Sequence, residues 1–210
     1  ESTGDREYYC RSTGDTVADG AALYEFIEKR SYPCGSTILL DAGAEYVNKG
    51  EPGVPSHSYG FPLGPQAGCN GAYTTITSTR AGDLPEGKRV LPSDKPKMAK
   101  LLTRGTFPAI QFFPKANNWR LAGLVLSNTA AASRNGYIAW VLGASHRFDP
   151  VPPGDELSQV VFDRVLVYPY EEEAYGDLAN NTNGLAYLRT ARTGFYLMGR
   201  NVEILNSYIY

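Results

Sequence analysis

The sequence predicts an all-β fold, a parallel β solenoid with one helix at its N-terminal end. The composition is typical of a turn-rich β protein, because Gly (22), Pro (14) and Tyr (15) are plentiful and Met (2) is scarce. A motif of two short apolar runs separated by a polar or small corner occurs three times. Leu121, Val161 and Val202 hold equivalent places in it, 40 and 41 residues apart. Simpler strands near Ile138 and Tyr187 lie between the motifs. Counting them gives a coil of roughly 20–25 residues, the repeat length of a solenoid.

One helix is predicted, close to the N-terminus. Asp19 is the candidate N-cap, since its side-chain oxygen can accept a hydrogen bond from a backbone N–H of the first turn. Pro33 and Gly35 mark the end of the helix. The face that would pack on the first coil has the i, i+3, i+4, i+7 spacing and consists of Leu23, Phe26, Ile27 and Arg30.

Short strands between turns are predicted for the rest of the chain, from their β-branched and aromatic residues. The predicted strands are 38–40, 45–47, 73–79, 109–113, 119–127, 137–142, 160–167, 185–189, 195–198 and 202–210. The alternative is a β-sandwich with irregular loops. A sandwich should contain hairpin turns between adjacent strands, and only Asn135-Gly136 fits one. The solenoid is therefore favoured.

The chain is predicted to form one domain, residues 1–210, with a cap region at 1–35 and coils over 36–210. Two long loops interrupt the coils, near 48–71 and 80–104. The second holds seven Lys and Arg against three acidic residues, whereas Glu171, Glu172, Glu173 and Asp177 form a local acidic run. We interpret both charge runs as solvated faces.

The net charge and the distribution of apolar residues argue against nucleic-acid binding and against a membrane span. The formal net charge of −2 lacks the basic excess that nucleic-acid binding requires. No segment approaches the roughly 18 consecutive apolar residues of a transmembrane helix. We therefore expect neither nucleic-acid binding nor a membrane span.

The cysteines and one sequon suggest a secreted or cell-surface protein. We predict a disulfide between Cys10 and Cys34, which bracket the helix, with Cys69 left over; three buried thiols in a reducing compartment are the alternative. A zinc site is not expected, because the chain has only two histidines and no paired cysteine motif. Asn180 begins the only N-x-S/T glycosylation sequon.

Both ends of the chain carry an expectation. The start at Glu1, which is not Met, suggests a processed N-terminus or an arbitrary starting point. Residues 203–210 have the pattern of a strand that ends without a cap, so either more chain follows or another molecule covers this end. The residues expected at such an assembly end are Ile204, Tyr208, Ile209 and Tyr210.

The best candidate for a ligand site is a basic strip with one acid. If the coils stack, equivalent residues of successive strands lie about 4.8 Å apart, and arginines in such a row could bind a carboxylated or sulfated glycan. The candidate residues are Asp163, Arg164, Arg189, Arg192 and Arg200. The alternative is that Asp163 and Arg164 form a corner ion pair and the other arginines are solvated. No cofactor is expected; Asp177 and residues 180–183 offer oxygen atoms to calcium, but without the spacing of a known calcium loop.

Several segments resemble right-handed parallel β-helix proteins of the pectate-lyase-like superfamily. Residues 23–46, LYEFIEKRSYPCGSTILLDAGAEY, are similar to the opening of such proteins, where an amphipathic helix caps the first coil. The likeness continues through YTTITSTRAGDLPEG, FPAIQFFPKANNWRLAGLVLS, VVFDRVLVYP and NVEILNSYIY, in the order found in secreted bacterial members, and it covers most of the chain. The resemblance implies a right-handed stack with more coils than 210 residues supply.

In that superfamily the catalytic members act on acidic polysaccharides, with calcium-binding carboxylates and an Arg or Lys base on one exposed sheet. No catalytic motif of the family is matched here, so no residue role is carried over. We therefore predict a non-catalytic structural or assembly role, in which the open C-terminal coil stacks on another subunit or partner, and leave enzymatic activity open. The alternatives are a polysaccharide-binding or polysaccharide-cleaving, lyase-like protein and a truncated piece of a longer enzyme.

Overall fold

Parallel strands make up most of the structure. The computed structural model describes residues 2–4, 6–28, 31–48, 60–66, 69–103, 108–129, 137–141, 154–168, 193–197 and 199–209. Within these residues the strands form three sheets, none of which closes on itself, and one α-helix is present. The fold is therefore all-β with an N-terminal helix, as predicted. No helix in this part of the chain has the length and apolar character to cross a membrane.

The first sheet contains seven strands. In spatial order they are β1 (Ser2–Gly4), β2 (Glu7–Cys10), β3 (Thr37–Leu40), β6 (Thr74–Ser78), β9 (Asn117–Ala122), β12 (Leu157–Asp163) and β15 (Gly199–Leu205). Only the β1–β2 pair is antiparallel among the described strands. All other neighbours in this sheet run parallel.

Two smaller parallel sheets complete the strand set. The second sheet has the spatial order β16 (Tyr208–Ile209), β13 (Leu166–Val167), β10 (Leu124–Asn128), β7 (Ala99–Thr103) and β4 (Glu45–Asn48). The third has the order β14 (Thr193–Leu197), β11 (Tyr137–Val141), β8 (Ile110–Phe112) and β5 (Phe61–Leu63). From β3 onward, successive strands fall in the first, second and third sheets in turn. One such round is called a coil below.

The structure corrects the predicted coil length and register. Thr37 pairs with Thr75, 38 residues later, and Thr75 pairs with Arg120, 45 residues later. A coil therefore takes about 40 residues, not 20–25, because the strand near Ile138, β11, belongs to the third sheet of the same coil. The predicted strand near Tyr187 lies outside the described residues. The predicted alignment is also shifted, by one residue at Val161 and by two residues at Val202. Leu121 pairs with Phe162, and Phe162 pairs with Ile204.

This shift decides which side chains form the core. Side chains alternate between the two faces of a strand, so a change of one residue in register exchanges inside and outside. The observed register places Ile76, Leu121 and Phe162 in one inward column, and all three are buried. Val161, which the sequence motif aligned with Leu121, belongs instead to the outward column that contains Arg120.

Helix α1 (Thr16–Glu28) covers the first coil. Leu23, Phe26 and Ile27 of its predicted apolar face are buried in the core, while Arg30 lies outside the described residues. Gly20 lies directly against β4: a Cβ atom at this position would be 2.0 Å from the carbonyl oxygen of Val47. Only glycine permits so close an approach of helix and strand.

The predicted N-cap of the helix is wrong by four residues. Asp15 is the cap, because its Oδ1 accepts hydrogen bonds from the N–H groups of Val17 (3.0 Å) and Ala18 (3.1 Å). Asp19 lies in the first turn and is buried. Its carboxylate accepts hydrogen bonds from Ser12 Oγ (2.5 Å) and the Thr13 N–H (2.8 Å), and thereby orders the loop that precedes the helix.

The predicted disulfide is wrong in one partner. The bond joins Cys34 to Cys69, whose Cα atoms are 5.2 Å apart, and Cys10 is a buried thiol. Cys34 lies in the turn before β3 and Cys69 in the segment before β6, so the bond links the entries to two adjacent strands. Cys10 is at the end of β2 in the core, and the Tyr46 hydroxyl donates to its carbonyl oxygen. Cys10 and Cys34 flank the helix in sequence, but they are not bonded to each other in the structure.

Residues 79–98, which we call the strap, depart furthest from the sequence prediction. This segment is most of the basic loop that was interpreted as a solvated face. Three of its apolar side chains are buried against Val125 and Leu166 on the outer face of the second sheet. They are Leu84, Val90 and Met98. The strap thus contacts the second sheet through these apolar side chains. It covers a face of that sheet that the coils alone would leave exposed.

Candidate functional site

The outer face of the first sheet carries a row of hydroxyl groups that leads to an arginine. Thr37, Thr75 and Arg120 occupy one outward column on adjacent strands, and Thr77 lies in the next column. Adjacent parallel strands are about 4.8 Å apart, so the three groups of the first column follow one another at that spacing. We call Thr37, Thr75, Thr77, Arg120 and Asp163 the threonine–arginine face.

The threonine hydroxyls are available to a ligand. Thr37, Thr75 and Thr77 are half-buried, and their hydroxyls form no hydrogen bond with the described part of the chain. A hydroxyl group can both donate and accept. These side chains therefore offer unused hydrogen-bonding capacity at the spacing of adjacent strands.

Arg120 is held in place by a buried carboxylate. Its Nη2 donates to Asp163 Oδ2 at 2.6 Å, and the Asp163 side chain is only 7% exposed. The Arg120 side chain is 42% exposed and makes no other hydrogen bond to the described residues. Arg120 therefore presents free N–H donors to solvent from a fixed position.

Asp163 binds a second guanidinium group. Arg164 Nη2 donates to Asp163 Oδ2 at 3.2 Å, and Arg164 Nε donates to Oδ1 at 3.3 Å. Burial opposes ionisation of Asp163, but the hydrogen bonds and charges of Arg120 and Arg164 outweigh it and hold the pKa of this carboxyl below its usual value. The group of three residues is ionised and carries a net charge of +1.

Arg164 also connects this site to the strap. Its φ is 52°, an uncommon backbone conformation for a residue other than glycine, at the corner between the first and second sheets. From there its Nη1 donates to the carbonyl oxygen of Ala81 at 3.2 Å. The same side chain thus contacts the carboxylate that positions Arg120 and the first turn of the strap.

The structure brings together only part of the predicted basic strip. Asp163 and Arg164 are in contact, as the corner ion pair requires. Arg200 is not near them, because it pairs with Ser158 in the sheet, five residues from Asp163, which corresponds to roughly 16 Å along the strand. Arg200 forms a 3.2 Å ion pair with Glu156. Arg189 and Arg192 lie outside the described residues.

Arg120 was missed in the sequence prediction. It belongs to the first recurring motif and directly precedes the inward residue Leu121. Val161 holds the equivalent position in the second motif, directly before Phe162. Its contact with Asp163 runs diagonally between two strands, from one outward column to the next. That contact depends on the exact register, which the sequence motif placed one residue off.

The described residues contain no group of three or more His, Cys, Asp or Glu side chains arranged to hold a metal ion. The residues considered for calcium, Asp177 and 180–183, lie outside the described part of the chain. Asn180, the predicted glycosylation site, lies there too.

The residues that were predicted as an assembly end lie in β15 and β16, as far as the structure describes them. Ile209 continues the inward column of Leu126 and Val167, yet it is 49% exposed. Leu205 is 42% exposed. Ile204 and Tyr208 are half-buried, and Tyr210 is outside the described residues. Leu205 continues the outward column of Thr77 and Asp163, so Ile209 is the exposed residue of the inward columns here.

Comparison with known proteins gives one structural likeness. No protein-family model matches the sequence, and no curated protein matches it. The crystal structure of an alginate lyase from Paenibacillus sp. str. FPU-7 aligns with a TM-score of 0.39 and 13% sequence identity. The alignment covers 96% of this chain and 58% of the lyase, so this chain spans less than two thirds of the length of that protein.

Proposed function

We propose that this protein binds an acidic polysaccharide on the threonine–arginine face. The observation that carries the proposal is the state of Arg120. Its guanidinium is fixed by the buried Asp163, half-exposed, and directly in line with the unpaired hydroxyls of Thr37 and Thr75. A positioned guanidinium with free donors is suited to a carboxylate, and neighbouring hydroxyls are suited to sugar hydroxyls.

The geometry of the face favours a polymer over a small ligand. A polymer can contact several rows at once because the groups recur at strand spacing over three coils. The named groups of the face are polar, whereas small-molecule sites are usually lined mostly by apolar side chains. The net charge of +1 on Arg120, Asp163 and Arg164 favours an acidic chain at this point of the face, while Glu7 and Glu203 stand at the two ends of the same column.

The proposal includes the form and location of the protein. Three parallel sheets visited in turn support a parallel β-helix, and we propose the right hand that crossover connections between parallel strands nearly always adopt. The Cys34–Cys69 disulfide supports an oxidising, extracellular location. Membership of the pectate-lyase-like superfamily stays a prediction.

Calorimetric titration with oligomers of alginate and polygalacturonate tests this function, with dextran as a neutral comparison. We expect binding of both acidic oligomers and none of dextran. Arg120→Ala should weaken binding about tenfold or more, since a charge-assisted hydrogen bond is lost. Arg200→Ala is the matched control, because it removes an exposed, ion-paired arginine from the same sheet. It should change affinity by less than about twofold.

Equal effects of Arg120→Ala and Arg200→Ala would show that binding depends on overall charge and not on this face. Binding of dextran as strong as that of alginate would exclude the acidic specificity. Incubation of the same oligomers with the protein, followed by the absorbance of unsaturated products, distinguishes a cleaving protein from a binding protein.

A second candidate function, assembly, is favoured by Ile209, an inward residue of the last described strand that is 49% exposed. Helix α1 covers the other end, so head-to-tail stacking is blocked and the occupant we propose is a second copy in tail-to-tail contact. Light scattering across a concentration series should show a dimer that Ile209→Lys abolishes, while Ala22→Lys, at an exposed position of α1, leaves it intact. A monomer at all concentrations would exclude this assembly.

A further inference from the structure

The strap crosses the corner between the first and second sheets beside the threonine–arginine face. Ala81 lies over this corner at β9 and β12: a Cβ on Gly123 would be 2.8 Å from the Cβ of Ala81, and Arg164 Nη1 binds the Ala81 carbonyl oxygen at 3.2 Å. Nine residues later, the N–H of Val90 donates to the carbonyl oxygen of Asn206 at 3.0 Å. Both ends of this crossing are therefore fixed to the coils.

Gly123, Arg164 and Asn206 are successive residues of this corner. The N–H of Gly123 donates to Asp163 and that of Arg164 donates to Leu205, so the corner follows the parallel ladder of the first sheet. Residues 81–90 consequently run along the corner from the coil of Arg120 to the last coil, two strands further on.

Lys88 and Arg89 are the free cations of this crossing. Both are exposed, and neither forms an ion pair or hydrogen bond with the described residues. The other three basic side chains of the strap have contacts: Arg80 pairs with Asp83 at 2.7 Å, Lys97 pairs with Asp94 at 3.1 Å, and Lys95 Nζ lies 3.8 Å from the centre of the Tyr168 ring. Glu86 is also exposed, which leaves residues 86–89 with a net charge of +1.

Val90 fixes the position of these two cations relative to Arg120. The corner residue Gly123 lies three residues beyond Arg120 along the chain. Asn206 lies at the same corner, two strand spacings away from Gly123. These steps place the backbone near Lys88 and Arg89 about 14 Å from that of Arg120. A disaccharide bound at Arg120 would not span this distance, whereas a hexasaccharide would.

We infer that Lys88 and Arg89 form a second anionic subsite, which makes the affinity for an acidic polysaccharide depend on its length. The inference rests on the proposed function, since the first subsite is Arg120. The polymer would run obliquely from the threonine–arginine face over the corner to the strap. Because the strap is fixed at Ala81 and Val90, the subsite is present before the ligand binds and little ordering is required on binding.

The test compares alginate disaccharide and hexasaccharide in calorimetric titrations of three proteins. The wild type should bind the hexasaccharide more tightly than the disaccharide. Lys88→Ala/Arg89→Ala should weaken hexasaccharide binding about fivefold, as expected for two exposed charge pairs. It should leave disaccharide binding within twofold of the wild type, and it should reduce the salt dependence of hexasaccharide binding.

The control is Lys115→Asn/Arg200→Ala, which removes two exposed cations elsewhere; asparagine tolerates the positive φ of 65° at position 115. This variant should bind both oligomers like the wild type. An unchanged hexasaccharide affinity in Lys88→Ala/Arg89→Ala overturns the second subsite while the proposed function stands. An equal loss of hexasaccharide affinity in Lys115→Asn/Arg200→Ala also overturns the second subsite. Absence of all binding by the wild type overturns the proposed function and the subsite with it.

Discussion

Gly20 illustrates how one missing side chain determines the position of an element. It lies in the middle of the sequence of α1, where alanine would favour the helix by about 1 kcal/mol. Here the space for a Cβ is occupied by the backbone of Val47, which cannot move without disturbing β4. Intrinsic helix propensity and packing therefore make opposite demands at this position, and packing prevails.

We expect Gly20→Ala to lower the free energy of unfolding by about 2 kcal/mol or more, because the added methyl group overlaps a carbonyl oxygen. Chemical denaturation monitored by circular dichroism measures this. Gly82→Ala is the control, since a Cβ added there would point into open space, with no contact to the described residues within 4 Å, and its effect should be small. A neutral Gly20→Ala would mean that α1 does not lie against β4 in this way.

Asp163 is the second residue whose burial has a measurable consequence. Asp163→Asn should destabilise the protein by about 2 kcal/mol at neutral pH, because Arg120 and Arg164 then lose their counter-charge. Since the folded-state pKa of Asp163 is depressed, its stabilising contribution is complete above the ordinary carboxyl pKa of about 4. The contribution is lost as the pH falls through the folded-state pKa.

The difference in unfolding free energy between the wild type and Asp163→Asn should therefore shrink below about pH 4. Denaturation at a series of pH values measures it, and the comparison cancels other carboxyls with depressed pKa values, such as Asp19 and Asp94. A difference that is constant with pH would show that Asp163 does not titrate against the two arginines.

At the scale of elements, the strap shows why charge composition alone misleads. Its lysines and arginines predicted a solvated loop, and they are indeed mostly at the surface. The structural role belongs to a few apolar residues at irregular spacing, Leu84, Val90 and Met98. They have neither helical nor strand periodicity, so pattern analysis could not identify them as a buried set. The prediction of α1 was better, because three of its apolar positions follow one regular face.

Leu84→Ala should lower stability by about 2–3 kcal/mol, because it removes buried apolar volume between the strap and the second sheet. Leu91→Ala in the same segment is the control, since Leu91 is 52% exposed, and it should change stability by less than about 0.5 kcal/mol. Thermal and urea denaturation give both values. Equal effects of the two substitutions would contradict the packing of the strap on the sheet.

At the scale of the whole molecule, the recurring motifs predicted the parallel stacking but not its dimensions. The corners between apolar runs are Gly123, Arg164 and Asn206, where the structure passes from the first to the second sheet. A repeated corner can be recognised in a sequence. The assignment of strands 137–141 and 193–197 to a third sheet cannot, because it depends on pairings between residues far apart in the chain. The position of Arg120 beside Asp163 was lost for the same reason.

The disulfide stabilises this stack at its N-terminal end. Peptide mapping of the non-reduced protein should find Cys34 linked to Cys69, with Cys10 alkylated only after unfolding. Cys34→Ser/Cys69→Ser should cost about 3 kcal/mol of stability, as expected for a bond that closes a loop of this length. Recovery of a peptide that links Cys10 to Cys34 would contradict the observed pairing.

The strap also constrains the order in which the chain acquires its structure. Its residues precede β7 in sequence, but Val90 binds Asn206, 116 residues further along the chain. Contacts between residues so far apart in sequence form slowly and late. The Val90 end of the strap therefore docks late in folding, after β15 has joined the first sheet. Until then, the protein has an apolar surface that the mature molecule does not show.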